Sequence, residues 1–216
     1  MLTVRLVRQV LTEVVGVNPE TSELEFDYQT PSQRGKLSTE FRYLYGIAPN
    51  PYSRSRLIPG TDRQLTQYFA YKRDQANIDT WKALKAAPDE VTNQFVKRTA
   101  IYLAAAIRRR HSIDAVMPAP SNSSLGSRLA AEIAARLGVP LLKPLPRNKE
   151  MKKVGVHQRT AAAVSNFDPE DQPKLNGNIL VVDDFTTSGA TSIGIAANLL
   201  MIPDVTDVVF TAISVY

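Results

Sequence analysis

The second half of the chain alternates short apolar runs with helical patterns. IDAVM (113–117) predicts a buried strand. Leu125, Leu129, Ile133 and Leu137 then recur every fourth residue, which predicts one face of a helix, with Gly138 placed as its C′ residue. VPLLKPL (139–145) predicts a short strand, NILVV (178–182) a stronger one, residues 189–201 a helix, and DVVFTAISV (207–215) a last strand. Ahead of them, Val96, Ala100, Leu103 and Ile107 line one face of a long helix expected from Asp89 to about Arg110, where Arg108, Arg109 and Arg110 complement its C-terminal dipole. Strand–helix alternation with continuous apolar strands implies an α/β fold, a parallel-sheet core flanked by helices, over residues 86–216.

Residues 1–85 are less regular. They hold Pro19, Pro31, Pro49, Pro51 and Pro59, many turn formers and most of the aromatics. A strand is compatible with TSELEFDYQT (21–30), and RQLTQYFAYKR (63–73) reads as a helix. This stretch is expected to be an added N-terminal lobe rather than a second enzyme.

Apolar residues make up 44% of the 216, enough for a proper buried core. No apolar run approaches the length of a membrane span, and MLTVRLVRQVLTEVV lacks a signal-peptide cleavage site, so a cytoplasmic protein with no membrane partner is expected. The absence of cysteine excludes disulfides and any Cys-ligated metal. A net charge of +5 is compatible with nucleic acid, with an anionic small substrate, or with no particular partner.

The chemistry concentrates in NILVVDDFTTSGAT (178–191). A parallel sheet binds ligands outside the carboxyl ends of its strands. There, Asp183 and Asp184 can accept hydrogen bonds from a vicinal diol such as the 2′ and 3′ hydroxyls of a ribose. The next residues, Thr186, Thr187, Ser188, Gly189, Ala190 and Thr191, supply hydroxyls, approachable backbone N–H groups and a helix N-terminus, which together suit a phosphate. Diol acceptors followed by a phosphate cradle describe a site for a ribose 5-phosphate. A P-loop and a G-x-G-x-x-G fingerprint are both absent. A receiver domain places its acidic pair after the first strand, and too little chain follows Asp184 for that arrangement.

ILVVDDFTTSGAT resembles the phosphoribosyl-pyrophosphate (PRPP) binding motif of type I phosphoribosyltransferases. It departs from the usual pattern at Phe185-Thr186 and at Ser188, with loop length preserved. The resemblance covers about residues 95–216 and is nearest to the competence-protein F (ComF-like) branch. With no cysteine, the chain cannot carry that branch's zinc ribbon. The resemblance implies that AVMPAPSNSSLGSR (115–128) binds pyrophosphate through Ser121, Asn122 and Ser123, although serines ahead of a helix also serve as N-caps. It implies too that PRNKEMKKVGVHQRTAAAVSNF (146–167) is a basic lid over PRPP, with Arg147, Lys153 and Arg159 touching substrate, although such a charge run is equally a solvated face. His157 reads as incidental, and His111, after three arginines, as a surface residue.

The implied activity is transfer of the 5-phosphoribosyl group from PRPP to a nitrogen nucleophile, a nucleobase or similar small molecule, with release of pyrophosphate. Asp183 and Asp184 would be the catalytic acids and would hold Mg²⁺ through water. The base-reading hood would come from residues 1 to about 85, rich in Tyr43, Tyr45, Tyr52, Arg54, Arg56, Tyr68 and Tyr71, or from a second copy in a homodimer. The alternative is a non-catalytic PRPP- or nucleotide-sensing regulator associated with nucleic acid.

Overall fold

A computed structural model describes residues 47–215, apart from positions 77, 88, 122, 145–174 and 188. The strand expectation at 21–30 and the basic segment 146–167, with Arg147, Lys153, His157 and Arg159, therefore lie outside the described residues, as do Asn122 and Ser188.

The elements run β1 (Tyr52–Leu57), β2 (Gln64–Phe69), α1 (Ile78–Ala86), α2 (Asp89–Arg108), β3 (Ala115–Pro118), α3 (Ser124–Leu137), β4 (Gly177–Val182), β5 (Phe185–Thr186), α4 (Ala190–Leu199), β6 (Val205–Ala212) and β7 (Ser214–Val215). Five strands form one sheet in the order β1-β2-β6-β4-β3. All pairings in it are parallel except β1 with β2. The fold is thus α/β, with helices flanking a mostly parallel sheet. Two of its strands come from the stretch assigned above to the N-terminal lobe.

Continuous apolar strands make sense because both faces of the sheet are covered. Val116, Leu180, Val182 and Val209 join one cluster with Leu103 and Ile107 of α2 and Leu129 and Ile133 of α3. Met117, Ile179, Val181, Val208 and Phe210 alternate to the other face, where Ile193, Ala196 and Leu199 of α4 meet them. Each fully buried Val, Leu, Ile, Phe or Met among them contributes about 1.5–3 kcal/mol of transfer free energy.

The helices begin and end where local chemistry dictates. Asp89 and Glu90 start α2 and Arg108 ends it, matching the helix dipole. The Ser123 side chain accepts from the Leu125 N–H, and Gly138 closes α3 in the left-handed region with φ 75°.

Four expectations need correction. Residues 64–69 are a strand, not a helix. Leu65 and Phe69 pack on the α4 face while Tyr68 packs on the other, so apolar residues on both faces of an interior strand imitate a helical period. Of VPLLKPL, the described residues 139–144 form only a bridge between Leu141 and Val116, because Pro140 and Pro144 have no N–H to extend a ladder. His111 is half-buried, with Nε2 3.0 Å from the Tyr68 hydroxyl and its ring edge-on to that phenol. The last strand also divides. After Ala212 the Ile213 N–H turns to the Asp184 carbonyl at 2.8 Å, and β7 leaves the main sheet to pair with β5.

Among the described residues no helix is long and apolar enough to cross a membrane.

Candidate functional site

β4 delivers Asp183 and Asp184 to the carboxyl edge of the sheet, as its apolar run requires. Both carboxylates are nearly enclosed, at 9% and 5% exposure. Charged groups at that burial need hydrogen bonds. Asp183 Oδ1 accepts the Asp184 N–H at 2.8 Å, and Asp184 Oδ1 accepts the Phe185 N–H at 2.6 Å. Asp184 Oδ2 accepts the indole Nε1–H of Trp81 at 3.1 Å. The backbone is fixed as firmly, with Asp183 N–H donating to the Thr211 carbonyl at 2.9 Å.

The start of α3 supports this loop from beneath. A Cβ built on Gly126 would lie 3.2 Å from the Asp184 nitrogen and 3.4 Å from the Asp183 carbonyl carbon. A side chain here would press on that backbone, and glycine avoids the contact.

The residues expected to hold phosphate separate along the loop. Thr186 is buried in β5, where it pairs with Val215, while Thr187 is exposed. Gly189 is the N-cap of α4, left-handed with φ 71° and contributing no side-chain cap. Ala190 is buried and Thr191 half-buried in the first turn. The helix thus presents its positive end after the acids, in the order the sequence suggests.

Residues from β1 and β2 complete this corner, and sequence reasoning did not assign them there. A Cβ on Gly189 would meet Arg56 Nη1 at 2.6 Å, so the guanidinium lies directly against the loop. Gln67, fully buried, donates from Nε2 to Ser192 Oγ at 2.7 Å and accepts from Arg54 Nε at 2.8 Å. Ser192 Oγ in turn donates to the Gly189 carbonyl at 2.7 Å. Arg54 has its pKa lowered, first by partial burial and second by the Arg56 charge. Two like charges held side by side next to a helix N-terminus make a locally electropositive wall.

The other candidates take mixed places. Ser123 is the α3 cap, and exposed Ser121 accepts the Ser123 N–H at 3.1 Å. Of the lobe aromatics within the described residues, Tyr68 and Tyr71 are core residues, and half-buried Tyr52 packs on Phe69 at 5.4 Å. Burial pushes the Tyr71 phenol up, against the opposing pull of Arg98. A surface cleft of about 450 Å³ lined by Arg108, Arg110, His111 and Ser112 opens just before β3, at the opposite edge of the sheet from the acids.

No protein-family model matches the chain, and no curated protein does. Among solved structures, an adenine phosphoribosyltransferase from Thermoanaerobacter pseudethanolicus is similar at 14% sequence identity with a TM-score of 0.38, over 76% of this chain and 95% of that one.

Proposed function

We propose that the chain transfers the 5-phosphoribosyl group of PRPP to a nitrogen nucleophile and releases pyrophosphate. The run from Asp183 to Gly189 carries this reading. Two neighbouring carboxylates end a parallel strand, and a glycine-capped helix opens five residues later beside Arg56. Asp183 and Asp184 would accept the ribose hydroxyls, and the α4 N-terminus with Arg56 would take the 5-phosphate.

In this reaction the C1–O bond to pyrophosphate breaks, a C1–N bond forms, and the nucleophile loses a proton. Carboxylates beside the sugar stabilise the positive charge that develops on it. Asp184 would also accept the nucleophile's proton. Pyrophosphate would leave toward Ser121 and Ser123 after β3, the next strand along the same edge. Asn122, Arg147, Lys153 and Arg159 remain the proposed companions of that leaving group, and Thr186, Thr187, Ser188, Gly189, Ala190 and Thr191 those of the 5-phosphate.

Two adjacent carboxylates fit a Mg²⁺ ion that is otherwise coordinated by substrate and water. Among the described residues no third acid or histidine joins them in a metal-binding group. When bound, the ion would supply charge stabilisation to the departing pyrophosphate.

A second reading, a nucleotide sensor that binds without turnover and associates with nucleic acid, draws on exposed Arg108, Arg109 and Arg110 at the far edge of the sheet. Incubation with PRPP, Mg²⁺ and a panel of nucleobases separates the two. Base-dependent release of pyrophosphate is the expected result. Binding with no release for every base would favour the sensor.

A further inference from the structure

Trp81 is the tryptophan of a chain that has one, and it touches the acid pair from α1, 103 residues upstream. Of the two Asp184 oxygens, Oδ1 is committed to the Phe185 N–H of its own loop. Oδ2 is the one that meets a group from another element, and that group is the indole N–H. A sugar hydroxyl approaching Asp184 would make the same kind of bond to the same oxygen. At 5% exposure there is little room for both donors.

The element that carries the indole is lightly anchored. α1 has nine residues, of which Thr80 and Leu84 are fully buried and Trp81 and Ala83 pack partly buried against the core. At its end the Leu84 carbonyl accepts the Thr92 hydroxyl at 3.2 Å. Lys85 Nζ sits 3.8 Å from the Trp81 ring centroid, one turn along the same helix, and would travel with the indole. Short segments with few buried contacts open at small free-energy cost.

We propose that Trp81 is an internal competitor for the diol position, a specificity residue that holds Asp184 until a ligand brings a hydroxyl donor to replace the indole N–H. This rests on the ribose 5-phosphate reading of the site. A ligand with phosphate but no diol engages the α4 corner and leaves the indole in place. A ligand with both displaces it. The bond to a charged acceptor that must be exchanged makes the competition worth roughly a tenfold change in affinity.

The test uses the indole as its own reporter. Wild-type protein is titrated with ribose 5-phosphate and separately with inorganic phosphate, while tryptophan fluorescence and calorimetric heat are followed together. Trp81→Phe, which keeps a ring but removes the donor, is titrated by calorimetry. The proposal expects a fluorescence change with ribose 5-phosphate and none with phosphate, and affinity for ribose 5-phosphate about tenfold higher in Trp81→Phe. Heat of binding in the wild type with an unchanged indole spectrum overturns the competitor role and leaves the sugar-phosphate site standing. Equal or weaker binding by a folded Trp81→Phe does the same. No heat with ribose 5-phosphate in either protein overturns the underlying reading and the competitor with it.

Discussion

Gln67 and Ser192, 125 residues apart, share a 2.7 Å hydrogen bond that ties an interior strand to the first turn of α4. Ser192 passes the link to the Gly189 carbonyl, so the glycine that caps the helix is held from β2. Gln67→Leu keeps the volume but removes the donor to Ser192 and the acceptor for Arg54. Losing these two hydrogen bonds, one of them to a charged group, is expected to cost about 1–3 kcal/mol, read from urea denaturation. The same variant should weaken inorganic phosphate binding, read by calorimetry, because the turn loses its brace.

Gly189→Ala meets two obstacles. The residue sits at φ 71°, which costs an L side chain about 1–2 kcal/mol. The new methyl would also fall 2.6 Å from Arg56 Nη1, the far end of a flexible side chain, and would push that guanidinium away from the loop at little cost in stability. A lower melting temperature is expected, together with a fall in phosphate affinity larger than that of an exposed control such as Ser127→Ala.

Gly126→Ala tests the support under the acids. Its methyl would press on the backbone nitrogen of Asp184 at 3.2 Å, and backbone held by the Thr211 and Ile213 bonds has little room to shift. Overpacking of this kind costs about 1–3 kcal/mol. Thermal unfolding should show the loss, and ligand binding at the acids should fall with it.

Much of the core was legible in the sequence because its signals are local. β4 is an apolar run ended by two acids, α2 a four-residue period between acidic and basic ends, and α3 a period closed by Gly138. The candidate site was legible only along one segment. Trp81, Arg56 and Gln67 approach that segment from other elements, and contacts across such separations leave no periodicity to read. β2 shows why. Its Gln67 lies between Leu65 and Phe69 on a buried face, and a polar residue at that position breaks the expected strand alternation for the sake of its bonds to Ser192 and Arg54. A lone tryptophan on a lysine-rich helix was the available hint for Trp81, but nothing in the sequence pointed it at Asp184.

The acid pair itself is the most direct test. Calorimetric titration with PRPP and Mg²⁺ should show binding by the wild type, and a loss of about 10- to 100-fold in Asp183→Asn and in Asp184→Asn, each shown folded by circular dichroism. Equal affinity in all three proteins, or no binding by the wild type, would contradict a ribose held by these two carboxylates.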